Sequence, residues 1–527
     1  MDKTTILVYQ FLSQKPVSDK NLLALKKMLA KKTGQGLVKN SEILRIYRQL
    51  VKQGKLAKNL ALEEQLCLKK TRTLSGVAPV AVLTRPYPCP GKCVYCPNEP
   101  GIPQSYLSLE PAVERAKAAQ FDPYLQVKRR LKQYRQTGHQ PEKIELIVIG
   151  GSFSALPGKY KRWFIKRCFE AANQQVSPTL LKAQKVNEAS KYRIIGITLE
   201  TRPDMVNLAE IKLMRQLGAT RVEIGVQNLD DRILKLVKRG HGQKASIKAT
   251  RLLKDAGFKV CYHMMPNLPG SSLVKDRSMF KQLFSDQYFK PDMLKIYPCV
   301  VLKEAPLYQW YKDKRYQAYR DKDLLELLVR VKTDLPRWVR LNRLIRDIPK
   351  DYIIAGTKVS NLRQVLVKEM QAQGLSCQCV RCREARNLPI KKQALSLKIS
   401  QYEASGGQEY FLEFVDVQDR LYGLLRLRLV KKNRLAGVFP VLSQAALVRE
   451  LHVFGQALAL EDKQKLKIQH KGLGAALLKR AETISRKNGF KKLAIISGVG
   501  AREYYQRFGY RLEQTYMLKE LDNKLDN

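Results

Sequence analysis

No stretch of this 527-residue chain approaches the roughly 18–20 consecutive apolar residues that a membrane span requires. The N-terminal Ile6-Leu7-Val8 and Phe11-Leu12 form neither a long apolar region nor a small-residue cleavage site, so no secretory signal is expected and the reading is a cytoplasmic protein. Internal repeats and low-complexity linkers are missing as well. Acidic residues are scarce: 47 Asp plus Glu stand against 97 Lys plus Arg, a formal charge of +50. An excess of that size fits a polyanionic partner, nucleic acid above all, although a generally lysine-rich host proteome would give the same balance. The hydrophobic share of 44% excludes global disorder, and the length predicts two or three domains. Ten cysteines in a chain read as cytosolic point to metal binding rather than disulfides.

The most telling shortage is local. Cys89, Cys93 and Cys96 are spaced C-x3-C-x2-C within Arg85–Pro97, and no fourth cysteine or histidine stands nearby. Fully ligated iron–sulfur clusters take four cysteines, so three on one short loop leave one iron of a 4Fe–4S cluster open. This spacing is the signature of radical S-adenosylmethionine enzymes. In these, the methionine end of the cofactor chelates the open iron, and one electron cleaves it to a 5′-deoxyadenosyl radical. A zinc knuckle is the alternative, but zinc sites close with a fourth ligand.

Four regions follow from the patterning. Residues 1–75 read as a basic helical arm, with 16 Lys or Arg against 5 Asp or Glu in residues 1–72. Lys26, Lys27, Lys31 and Lys32 flank an apolar stripe there, either as a phosphate-binding face or as a solvated one. A second helix is expected over 41–52, with Ser41 as its N-cap. Residues 76–345 alternate apolar runs (144–149, 194–199, 221–226, 259–264, 293–297) with amphipathic stretches such as 112–134 and 246–256. This predicts a parallel α/β sheet, open or closed as a barrel, with chemistry at the C-terminal strand ends. Gly150-Gly151, Glu200 and Gln227 fall at those ends and are candidates for holding the cofactor's amino group and ribose, or are ordinary loop residues. Residues 346–400 form a linker with a second cysteine cluster. Residues 401–527 begin with antiparallel-looking strands.

In that last region, Gln469-His470-Lys471-Gly472-Leu473-Gly474 fits Q/R-x-x-G-x-G opening a helix, a geometry that turns backbone N–H groups toward a pyrophosphate. The preceding strand at 447–454 and the downstream Tyr504-Tyr505 match the order of GNAT acetyltransferases, whose loop binds acetyl-CoA; a simple turn and helix is the alternative. In the linker, Cys377, Cys379 and Cys382 are read as a structural zinc site with Cys299 as a candidate fourth ligand. An auxiliary iron–sulfur cluster or three free thiols remain open.

Together these motifs resemble the catalytic subunit of the Elongator complex, in the free-standing form found in prokaryotes. The likeness includes Gln104-Ser105-Tyr106, Glu110-Pro111, Gly150–Phe153, Glu200–Asp204, Arg221–Gln227, Arg346–Pro349, Arg449–Val453 and Ser497–Gly500. It implies a radical SAM partial (β/α) barrel, then a GNAT-type α+β domain. It also implies a tRNA-modifying acyltransferase that makes 5-carboxymethyluridine at the wobble position of the anticodon. Acetyl-CoA would supply the carbon, the deoxyadenosyl radical would remove a hydrogen from its methyl group, and hydrolysis would free CoA. Cys89, Cys93 and Cys96 would bind the cluster. Lys143, Glu450, Leu451, His452, Val453, Leu473, Gly474, Ala475 and Tyr505 would contact acetyl-CoA. The implied partners are the tRNA anticodon stem-loop and a one-electron reductant, without accessory Elongator subunits. A protein lysine acetyltransferase using the GNAT domain alone is the competing reading, disfavoured because a basic enzyme repels lysine-rich substrates.

Overall fold

The computed structural model describes residues 2–14, 18–34, 36–69, 73, 76–385, 395–454 and 472–521. The central unit is a seven-stranded sheet in the order β1 (Val77–Leu83), β2 (Lys143–Ile149), β3 (Arg193–Thr201), β4 (Arg221–Gln227), β5 (Lys259–Met264), β6 (Met293–Ile296) and β8 (Arg340–Arg343). Every neighbouring pair is parallel, and β1 and β8 do not meet, so the barrel is partial. A short antiparallel pair, β7 (Val301–Leu302) with β9 (Ile353–Ala355), stands apart.

Period-2 patterning decides which face each strand residue serves. In β2, Ile144, Leu146 and Val148 are buried in the core beneath the helices, whereas Glu145, Ile147 and Ile149 face the opposite side. The outer helices pack on that core; Phe164, Ile165, Leu253, Leu283 and Leu328 contribute buried side chains. The stretch read as one amphipathic segment over 112–134 is two helices, Pro111–Ala118 and Pro123–Gln136. Gln120 and Phe121 take positive φ between them, and Pro123 starts the second. Glu200 is not beyond a strand end: β3 continues through it because Glu200 and Thr201 pair with Glu223 and Ile224 of β4.

The C-terminal sheet runs β10 (Ser396–Ala404), β11 (Gly407–Val415), β12 (Leu421–Leu429), β13 (Ala445–Val453), β14 (Lys492–Ile495), β16 (Tyr516–Glu520) and β15 (Arg511–Glu513). β13 pairs in parallel with β14 only from Ala445 to Val448, while its second half pairs with β12 alone. The two strands therefore splay from Arg449 onward.

A buried ion cluster joins the two sheets. Asp292, just before β6, pairs with Arg449 at 2.5 Å, and Arg449 also reaches Glu409 at 2.9 Å. Arg428 bridges Glu409 and Asp255 at 2.9 and 2.5 Å. Burial lowers Lys254 to about 8 although Asp292 and Glu409 lie near it. The N-terminal helices Lys3–Gln14, Asp19–Thr33, Asn40–Lys52 and Leu60–Leu66 share a core of their own. Arg48 ties them to the central unit by donating to the Arg135 carbonyl at 2.6 Å. Ser41 is not the N-cap of its helix: Lys39 is, and Ser41 lies inside the first turn. Among the described residues no helix is long and apolar enough to cross a membrane.

Candidate active site

One cavity of about 1750 Å³ runs along the inner face of the central sheet. Cys96 and Tyr95 of the cysteine loop, with Glu200 and Gln227, line one end; Glu450, His452 and Phe454 of β13 line the other. The loop motif and the splayed strand, far apart in sequence, thus open into one space.

At the first end the cysteine loop caps the C-terminal edge of the sheet. Cys93 is buried, and Cys89 and Cys96 are partly so. Arg239 donates to Cys93 Sγ at 3.4 Å. Burial, then the neighbouring Cys93, push the Cys96 thiol up to about 12, so it ionises only against a cation. The three sulfurs do not all fall within 4.8 Å of one another, whereas those of Cys377, Cys379 and Cys382 do. Two thiolates on one zinc, with Zn–S near 2.3 Å, lie at most about 4.6 Å apart. The wider triad therefore suits a cluster, in which each thiolate takes a different iron, and the tighter one suits a single ion.

Around the first triad the geometry leaves room for a polar ligand. Gln227 ends β4 at φ +70° with its Oε1 buried and unpartnered among the described residues. Strain of this kind clusters at ligand sites. Glu200 accepts from Tyr106 Oη at 3.1 Å and from Lys295 at 3.3 Å. Gly150 follows β2 at φ +132°, and a side chain there would strike the Thr84 hydroxyl. Arg346 donates to the Ser105 carbonyl at 2.6 Å and to Glu110 at 3.1 Å, joining sequence blocks 236 residues apart.

The second end is built by β13. Glu450 pairs with Arg426 at 2.8 Å and Lys259 at 3.4 Å. Burial would raise it, but Lys259 and Arg426 hold it at about 2. Burial lowers His452 to about 4, and its Nε2 is unpartnered among the described residues. Leu473, Gly474 and Ala475 open the helix Leu473–Lys487, with Gly472 as its cap. Gly474 has no space for a Cβ because the Tyr504 hydroxyl lies against it. Tyr505 instead sits in the apolar core of the C-terminal sheet, and burial raises its hydroxyl. Leu451 and Val453 are partly buried on β13. Lys143 begins β2 on the cavity-facing side, half-buried, but does not line the cavity. Gln469 lies outside the described residues.

Sequence reasoning missed the charged wall between the two ends. Arg221 pairs with Glu145 at 2.7 Å and Glu223 at 3.5 Å. Glu223 contacts Lys295 and accepts from His263 Nε2 at 2.7 Å. Burial would raise Glu223, but Lys295 and the His263 hydrogen bond hold it well below the ordinary carboxylate range. The signal is charged or titratable residues two or four positions apart in otherwise apolar strands, Arg221 and Glu223 on β4 and Lys259 and His263 on β5, with Lys295 on β6.

Cys299 is not the fourth ligand of the second triad. It is buried with Cys93, Val94, Val301, Leu307 and Tyr316, and no further His, Cys, Asp or Glu joins the triad among the described residues. Lys332 lies 3.4 Å from Cys382 Sγ. Hydrogen bonds shared among the three push the Cys379 thiol down and the Cys377 thiol up, so the triad releases its first proton at Cys379. Lys27, Lys31 and Lys32 are exposed on the helix Asp19–Thr33, and Lys26 is half-buried.

Residues 87–280 match the radical SAM superfamily, and residues 291–372 match the radical SAM C-terminal domain. A tRNA uridine(34) acetyltransferase of Methanocaldococcus infernus is 45% identical over 505 residues, covering 91% of this chain and 94% of that protein. Elongator complex protein 3 of Bos taurus is 40% identical over 478 residues, covering 88% of this chain and 87% of that protein. The solved structure of the archaeal Methanocaldococcus infernus Elp3 with an N-terminal deletion of residues 1–46 superposes with a TM-score of 0.73 at 42% identity, covering 85% of this chain and 100% of that one. The chain belongs to the tRNA uridine(34) acetyltransferase and Elongator complex protein 3 family. The radical SAM unit of this family implies S-adenosylmethionine and a 4Fe–4S cluster, and the open geometry around Cys89, Cys93, Cys96 and Gln227 fits both.

Proposed function

We propose that this chain adds a carboxymethyl group to C5 of the wobble uridine of tRNA, using acetyl-CoA as the carbon source. The relatives named for tRNA uridine(34) support the substrate class. The observation that carries the chemistry is the single cavity reaching from Cys96 to His452.

In this reading Cys89, Cys93 and Cys96 hold the cluster, and Gly150, Gly151, Glu200 and Gln227 hold S-adenosylmethionine. When bound, these groups supply the radical that takes a hydrogen atom from the acetyl methyl. Glu450–Val453 and Leu473–Ala475, together with Gln469, hold acetyl-CoA, with Lys143 at the mouth of the same face. Tyr505, kept protonated by burial and near enough to Glu450 to feel its charge, is assigned the proton for the departing CoA thiolate, a role that needs its hydroxyl to turn out of the core when acetyl-CoA binds. Lys26, Lys27, Lys31 and Lys32 grip the anticodon stem through its phosphates while the target base leaves its stack. The paired charges of Glu145, Arg221, Glu223 and Lys295 keep the cavity wall polar where a uracil would enter. Cys377, Cys379 and Cys382 hold one structural zinc. Residues 1–75, 76–345, 346–400 and 401–527 divide these tasks, in the cytoplasm and without accessory subunits.

The test is anaerobic incubation of the full chain with tRNA, acetyl-CoA, S-adenosylmethionine and a reductant, followed by nucleoside mass spectrometry. The expected product is 5-carboxymethyluridine. Acetyl-lysine on a protein with no uridine product would favour the lysine acetyltransferase reading instead.

A further inference from the structure

The cysteine loop has two sides. Tyr95 and Cys96 face the cavity, while Pro90 and Lys92 face a separate, shallow groove of about 580 Å³ on the outer surface. The two spaces share no lining residue. The groove is walled by the helix Asp231–Leu236 and the turn after it, and its rim carries exposed Lys92, Lys235 and Lys238 against the single carboxylate of Asp231. Arg239, between groove residues Lys238 and Gly240, donates to Cys93 Sγ at 3.4 Å. Arg202 donates to the Arg239 carbonyl at 2.9 Å and packs against the loop. Arg239, whose chain neighbours Lys238 and Gly240 line the groove, thus contacts a sulfur of the first triad.

We propose that this groove docks an acidic one-electron carrier protein, of the flavin or iron–sulfur class, that reduces the cluster. The inference rests on the radical SAM reading of the first triad. In the step the carrier is oxidised by one electron and the protein-bound cluster is reduced by one, with no proton or group transferred. Electron-transfer encounters are small and transient, so a shallow patch suffices. Charge complementarity sets their approach rate and their sensitivity to salt. RNA also seeks basic surface. Position decides for the carrier: the groove lies behind the loop, apart from the cavity that receives the base, so both partners can be bound at once.

The experiment compares the reconstituted full chain with Lys235→Glu/Lys238→Glu, and with Lys235→Gln/Lys238→Gln as a milder second variant. Binding of an acidic flavodoxin is measured by fluorescence at low and moderate salt. Product is measured with either reduced flavodoxin or dithionite as the electron source. The proposal expects flavodoxin affinity to fall at least about tenfold in the Glu variant and less in the Gln variant, with a flatter salt dependence. Flavodoxin-driven product should fall in step, while dithionite-driven product and tRNA affinity stay unchanged. Unchanged flavodoxin binding overturns the proposal. So does an equal loss of tRNA affinity, which would give the groove to RNA. If the unaltered chain yields no product with dithionite, the functional reading fails, and the binding measurement still decides the docking site.

Discussion

The two ends of the cavity are built in opposite ways. At the Cys96 end, one contiguous loop supplies the three thiols, and the ligand-facing residues follow from short strand-end motifs. At the His452 end the strand is placed by long-range contacts. Glu450 is positioned by Lys259 of one sheet and Arg426 of the other, and β13 is seated by Arg449 on Asp292. The first end should tolerate loosening of the domain contact, and the second should not. The proposed reaction, which joins a radical to an acetyl group, needs both ends, so under that proposal the ion cluster between the sheets sets the distance between the reactants.

Cys93→Ala should have the largest effect on the first end alone: uridine product is abolished, while acetyl-CoA binding measured by calorimetry is retained. Loss of both would mean the two ends are not separable. Asp292→Asn should act on the second end. It leaves Arg449, Lys254 and Arg426 without their shared carboxylate, at a cost of about 3–5 kcal/mol in urea unfolding. Acetyl-CoA affinity should fall with it, and a smaller loss would show that the sheets are held mainly by apolar packing. The smallest effect concerns His452, lowered from 6.5 to about 4 by burial. The unfolded chain takes up this proton near pH 6.5 and the folded chain only near 4. Stability is therefore full above 6.5 and falls as pH drops toward 4. Because the cavity wall is partly open to water, His452→Gln should flatten that slope by about 2 kcal/mol. A pH–stability curve identical to that of the unaltered chain would place His452 in water.

The cysteine loop, the helix opened by Gly472 and most strands were legible because each is written in a few adjacent residues; β5 spans the apolar run 259–264. β1 was passed over because Pro79 interrupts it, yet Pro79 stands on an edge strand, where a missing N–H costs little. Cys299 was misassigned because a thiol's partners depend on tertiary packing that spacing does not encode. Tyr504 and Tyr505 show the same limit: adjacent in sequence, one closes over Gly474 and the other enters the core. The wall of Glu145, Arg221, Glu223, His263 and Lys295 was hidden by the usual expectation that strands in a parallel sheet are apolar on both faces. Here one face borders a cavity instead of a helix layer.

The central claim is that the radical formed at one end acts on the acetyl group held at the other. Incubating the reconstituted protein with tRNA, S-adenosylmethionine, reductant and acetyl-CoA deuterated at its methyl group tests this most directly, with mass spectrometry of the released 5′-deoxyadenosine. The expected result is deuterium in 5′-deoxyadenosine and two deuterons retained in the carboxymethyl product. Unlabelled 5′-deoxyadenosine beside the same doubly deuterated product would contradict it.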